Sequence, residues 1–128
     1  MKWIKLLAFS ILLIGLTTTA GAKVKKSKDV GVNTVHNWIG QGESHWYYSY
    51  ITSSTFDLYL VWNNPSNSLT LTVYSPDGSV KTYKDNYDGK MDGKILVKIT
   101  NAQRGYWFFR VYGERVSCTQ LYSFAVYD

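Results

Sequence analysis

The chain has 128 residues, of which 45% are hydrophobic, 18% charged and 16% aromatic. That length fits one domain, and five Trp, eleven Tyr and five Phe exclude a chain disordered throughout. A single Cys excludes an intramolecular disulfide framework, and ten Gly without a three-residue repeat exclude a collagen-like helix. The net charge is +5, but it sits at the start of the chain. From Asp29 onward eight Lys or Arg face nine Asp or Glu, a net of −1. A nucleic-acid binder carries its positive charge on one face of the fold, so nucleic acid is not an expected partner.

Residues 1–22 read as a secretory signal peptide. Lys2 and Lys5 precede an apolar run, Leu6 to Leu16, broken by Ser10 and Gly15, and Ala20-Gly21-Ala22 supplies a small-x-small cleavage site. The run is too short for the ~20 residues a bilayer span needs. The expectation is export to the cell envelope or the extracellular space, with no stable membrane span after cleavage. Residues 23–41 follow as a Lys-rich leader and N-terminal arm. Lys23, Lys25, Lys26 and Lys28 read as a solvated spacer. Val30, Val32, Val35, Trp38 and Ile39 allow either an edge strand or a packed arm.

From Gly42 to Asp128 period-two alternation recurs with turn residues between the runs, and no helical period holds. His45 to Ile51 is dense in aromatics. Phe56, Leu58, Leu60 and Trp62 alternate with Asp57, Tyr59 and Val61. After the Asn63–Asn67 loop, Leu69, Leu71 and Val73 alternate with Thr70, Thr72 and Tyr74. Ser75-Pro76-Asp77-Gly78 suits a type I turn, with Pro second and Gly fourth. Ser79 to Lys84 would return, and Asp85 to Gly93 is a polar loop. Ile95, Val97 and Ile99 then mark an inward face. Trp107, Phe109 and Val111 oppose Tyr106, Phe108, Arg110 and Tyr112. Tyr122, Phe124 and Val126 oppose Leu121, Ser123, Ala125 and Tyr127. Seven strands at hairpin spacing predict an all-β antiparallel sandwich or barrel.

The serial order of these features resembles the bacterial pre-peptidase C-terminal domain family, related to the collagen-binding domains of clostridial collagenases. The matching runs are Gly42-Glu43-Ser44-His45-Trp46-Tyr47-Tyr48, the apolar strand ending in Trp62, Leu69 through Gly78, Gly105 through Val111, and Tyr122 through Val126. The resemblance covers about two thirds of the chain. It implies a jelly-roll-like β-sandwich of about seven to eight strands with no active site. Two departures stand out. The family often has Asp where this chain has Ser68 and Thr70, and such modules usually trail a secreted peptidase, for which this chain has no room.

Candidate chemistry is sparse. Gly42-Glu43-Ser44-His45-Trp46 begins like a nucleophile elbow but lacks its final Gly. Neighbouring strand residues also point to alternate faces, so a small secreted hydrolase built on Ser44 and His45 is disfavoured. Cys118 has no close-spaced ligand pair for zinc with His36 or His45 and reads as a partly buried small residue. Asp85, Asp88 and Asp92 gather three carboxylates in one loop, the candidate calcium site, without EF-hand spacing. Relatives of the collagen-binding group bind calcium through other segments. The aromatic surplus is the other lead. Tyr59, Tyr74, Tyr106, Phe108 and Tyr112 fall on outward positions, together with Tyr127 and one of Tyr47 or Tyr48. Such a patch marks a binding surface, and the resemblance implies tyrosines used on a sheet face. The expected function is a non-catalytic binding module for extracellular protein or polysaccharide, with a calcium-binding structural module as the alternative.

Overall fold

The alternating runs form strands in two layers in the computed structural model, which describes residues 28–29 and 34–128. The signal peptide expected over residues 1–22 and most of the Lys-rich leader lie outside the described residues. In chain order the strands are β1 (Lys28–Asp29), β2 (Val35–Gly40), β3 (Ser44–Ile51), β4 (Phe56–Trp62), β5 (Ser68–Tyr74), β6 (Val80–Lys84), β7 (Lys94–Ile99), β8 (Gly105–Arg115) and β9 (Thr119–Tyr127). A single 3-10 turn, Asp85–Asp88, is the only helical element among the described residues.

The first sheet has the order β1-β3-β8-β5-β6 and the second β2-β9-β4-β7. Every pairing is antiparallel except that of the two-residue β1, which runs parallel to β3. The antiparallel pairs nest. β5 pairs with β6, β4 with β7, β3 with β8, and β2 with β9. A long hairpin folded in this way and wrapped into two layers is a jelly roll, so the all-β sandwich and its jelly-roll order are both observed.

The inward half of each alternation fills the space between the layers. Phe56, Leu58, Leu60 and Trp62 from β4 meet Trp107, Phe109 and Val111 from β8, and all seven are buried. The ring of Phe56 stands edge-on to Trp107 with centroids 5.0 Å apart, and Phe109 lies 5.5 Å from Phe124. Fully burying one such side chain contributes about 1.5–3 kcal/mol, which is why the outward residues are free to serve something else.

Two expectations need correction. The domain does not begin at Gly42. Val35–Gly40 is an edge strand of the second sheet, paired residue by residue with β9 from Val35↔Phe124 to Gly40↔Thr119. Val35 and Ile39 insert into the core, so this end of the N-terminal arm is part of the sandwich. Thr70 and Thr72, outward by alternation, are nonetheless buried. β5 lies between β8 and β6, with Tyr112 and Lys84 opposite Thr70 and Arg110 and Thr82 opposite Thr72. Thr72 keeps its hydroxyl satisfied by Thr82, 2.9 Å away.

The turns follow local chemistry. Gly78 N–H donates to the Ser75 carbonyl at 3.0 Å, and the Asp77 carboxylate accepts from the Ser75 hydroxyl and from Ser79 N–H. These bonds hold the Asp77 pKa below the usual carboxylate range. Gly93 is required where the chain enters β7. Its φ is +75°, and a Cβ there would lie 2.5 Å from the Trp62 carbonyl oxygen.

Candidate functional site

Strand pairing decides which rings share a surface. Tyr106 lies opposite Tyr50, Phe108 opposite Tyr48, Arg110 opposite Trp46 and Tyr112 opposite Ser44. On the other side of β8, Phe108 lies opposite Tyr74. Cross-strand partners point to the same face. The outer face of the first sheet therefore carries Trp46, Tyr48, Tyr50, Tyr74, Tyr106, Phe108 and Tyr112, with Arg110 among them.

The rings touch one another. Tyr50 and Tyr106 meet edge-on with centroids 4.9 Å apart. Tyr48 lies 6.0 Å from Tyr106 and 6.1 Å from Phe108. Trp46 reaches across β8 to Tyr74 at 5.3 Å. Tyr106 is 55% exposed, Tyr50 47% and Phe108 37%, while Trp46, Tyr48, Tyr74 and Tyr112 are half-buried. Arg110 is fixed within this field. Its Nε donates to Ser44 Oγ at 2.9 Å, and its guanidinium lies 4.7 Å from the Tyr112 ring centre. Burial raises the Tyr74 pKa, and the charge and hydrogen bond of Arg110 offset part of that rise.

Four of the five tyrosine and phenylalanine positions expected to bind a ligand thus come together: Tyr74, Tyr106, Phe108 and Tyr112. Tyr59 does not join them. It points from β4 to the outer face of the second sheet, 5.1 Å from Tyr127, because β4 belongs to the opposite layer. Sequence reasoning missed Trp46, Tyr50 and Arg110, and left Tyr47 and Tyr48 undivided. Tyr47 is buried against Phe124, and Tyr48 faces outward.

Ser44 and His45 part company as strand alternation requires. Ser44 lies on the outer face with Arg110. His45 points inward, its Nδ1 2.7 Å from the Tyr122 hydroxyl, which in turn bonds the Tyr47 hydroxyl. The Glu43 carboxylate lies 3.7 Å from His45 Nε2 but also accepts Gly40 N–H at 2.8 Å. Burial, reinforced by Tyr47, raises the Tyr122 pKa. This chain of polar groups holds the β2–β3 corner against β9. Cys118 is not the partly buried residue expected. It is exposed, in a turn at φ +64°.

The aspartate loop also divides. Asp85 is buried, and its carboxylate accepts backbone N–H groups from Asp92 at 3.2 Å, Gly93 at 3.0 Å and Lys94 at 3.4 Å. It staples the chain as it crosses from β6 in the first sheet to β7 in the second. Asp88 ends the 3-10 turn. One oxygen of Asp92, Oδ1, is buried without a hydrogen-bond partner. Among the described residues no three His, Cys, Asp or Glu side chains are placed to hold a metal ion.

Comparison with known proteins adds two findings. An uncharacterized protein of Archaeoglobus fulgidus is 76% identical over 53 residues, 41% of this chain and 77% of that protein. The chain belongs to the same family as that archaeal protein. The crystal structure of the pre-peptidase C-terminal domain of a Bacillus anthracis collagenase superposes with a TM-score of 0.62, covering 83% of this chain and 99% of that domain at 16% identity. The fold is therefore that of a pre-peptidase C-terminal domain, as the serial order of strands implied. No family profile matches the chain. No helix among the described residues is long and apolar enough to cross a membrane.

Proposed function

We propose that the protein is an exported, non-catalytic β-sandwich module that attaches to extracellular protein or polysaccharide through the outer face of its first sheet. One observation carries this reading. Seven aromatic rings from β3, β8 and β5 form a contiguous, partly exposed surface. Water contact with so much apolar ring is unfavourable unless a partner covers it, and tyrosine supplies a rigid apolar body with a polar tip. The fold shared with a collagenase module adds support. The test is binding of the Tyr106→Ser/Phe108→Ser/Tyr112→Ser variant to fibrillar collagen and to insoluble polysaccharides. Loss of sedimentation with the ligand, with the melting transition still cooperative, is the expected result. Unchanged binding contradicts the reading.

A second reading, calcium binding at Asp85, Asp88 and Asp92, is favoured by the unpartnered Asp92 Oδ1. A ligand that binds only the folded state raises its stability. A melting temperature that rises with millimolar calcium and falls with chelator supports this reading, and identical melts contradict it.

A further inference from the structure

Arg110 is the feature of the aromatic face that ring burial alone does not explain. It stands on β8, the central strand of the ring field, opposite Trp46 on one side and Thr72 on the other. Among residues 34–128 no ion pair engages it. Ser44, Tyr112 and Tyr74 fix its orientation instead, through a 2.9 Å hydrogen bond from Nε to Ser44 Oγ, a 4.7 Å cation–π contact and a hydrogen bond with the Tyr74 hydroxyl. A guanidinium oriented by neutral groups is arranged for an anion, and carboxylate is the group its fork matches. Its ordering is already met in the free protein, which favours binding.

The surroundings narrow the ligand. The outward positions of β3, β8, β5 and β6 hold one aliphatic residue, Val80, against five tyrosines, one tryptophan and one phenylalanine. Along β3 the rings of Trp46, Tyr48 and Tyr50 recur at every second residue, about 6.8 Å apart over roughly 14 Å, and along β8 Arg110 takes one place in the row Tyr106, Phe108, Arg110, Tyr112. An extended chain of repeating units, apolar on their faces and hydroxylated at their rims, fits such a row of hydroxyl-tipped rings.

We propose that the aromatic face binds a carboxylate-bearing polysaccharide, with Arg110 pairing the carboxylate and the flanking rings stacking on the sugar units. This rests on the reading above and names its ligand class. The test titrates the full chain with polygalacturonate, with the same polymer methyl-esterified, and with poly-L-glutamate, following tryptophan fluorescence and calorimetry. Polygalacturonate should bind about tenfold more tightly than the ester, as a charge-assisted bidentate pair implies. Arg110→Gln should erase that preference, and Arg110→Lys should retain part of it. Equal affinity for acid and ester in the unaltered chain overturns the proposal even if the Gln variant does not fold. Equal affinity for poly-L-glutamate overturns it too, because charge alone would then suffice. If acid and ester bind equally and Tyr106→Ser weakens both, only the ligand class fails and the aromatic face stands. If neither polymer nor collagen binds, both fail.

Discussion

The outer faces of the two sheets obey the same alternation and carry very different surfaces. On the first sheet, seven rings and one arginine are clustered over β3, β8 and β5. On the second there are three rings, Trp38, Tyr59 and Tyr127, beside exposed Leu96 and Leu121, and charge stands among them, with Asp57 and Lys98 bridged at 3.2 Å between β4 and β7. His36 bonds Ser123 at 2.8 Å across β2 and β9. Both faces are outward, so burial in the core explains neither. A sandwich needs only its inner faces to be apolar, and the second sheet shows that an outer face of this chain can do with three aromatic rings dispersed among charged, hydroxyl and aliphatic side chains. The aromatic weight of the first is an addition to the fold rather than a requirement of it.

Substitutions that break this contrast rank by how deeply they reach. Phe109→Ala, beneath both faces, should cost about 3–5 kcal/mol in denaturant unfolding and lower every binding activity with the fold. Asp85→Ala strips the acceptor from three backbone N–H groups where the chain passes between the sheets. It should cost about 1–3 kcal/mol for each buried group left unmet, without touching either face. Tyr106→Ser with Phe108→Ser should abolish ligand binding, while each ring pair this breaks costs the fold about 0.5–1.5 kcal/mol beyond the area it buried. The matching pair Tyr59→Ser with Tyr127→Ser should leave binding intact. Lys98→Ala on the second sheet should cost about 0.2–1 kcal/mol, less at high salt, because the ion pair it breaks is exposed.

The smallest effect is a dependence on pH. Hydrogen bonds from Lys84 and Ser68 lower the Glu114 pKa. The carboxylate form is favoured in the folded state, so its contribution is present at neutral pH. It is lost as pH falls below the ordinary glutamate value of about 4.3 and through the lowered one. Glu114→Gln should flatten the acid limb of a melting-temperature profile slightly, and an unchanged limb would remove Glu114 from the account.

The sandwich was legible because strands with one buried face write their register in the sequence. Phe56 to Trp62 and Trp107 to Val111 do so without ambiguity. The aromatic face was legible only in part. In His45 to Ile51 aromatics occupy both parities, with Trp46, Tyr48 and Tyr50 on one and Tyr47 on the other. A one-residue slip exchanges the faces, and only pairing with β8 settles it. Tyr59 alternates as cleanly as Tyr106, yet alternation does not say which layer a strand joins. The role of Arg110 rests on interactions across strands, Ser44 being 66 residues distant in sequence. Val35 and Ile39 were legible as apolar, but the choice between an edge strand and a packed arm stayed open, because six residues with two inward positions carry little period.

Tryptophan placement offers the most direct test. Trp46 lies on the aromatic face, Trp38 is 58% exposed on the second sheet, and Trp62 and Trp107 donate their indole N–H groups to the carbonyls of Asn67 and Gln103. In a two-dimensional NMR titration with a collagen peptide or polysaccharide that binds, the Trp46 indole signal should shift while that of Trp38 stays fixed. A shift of Trp38 with Trp46 unmoved would place the ligand on the opposite sheet and contradict the account.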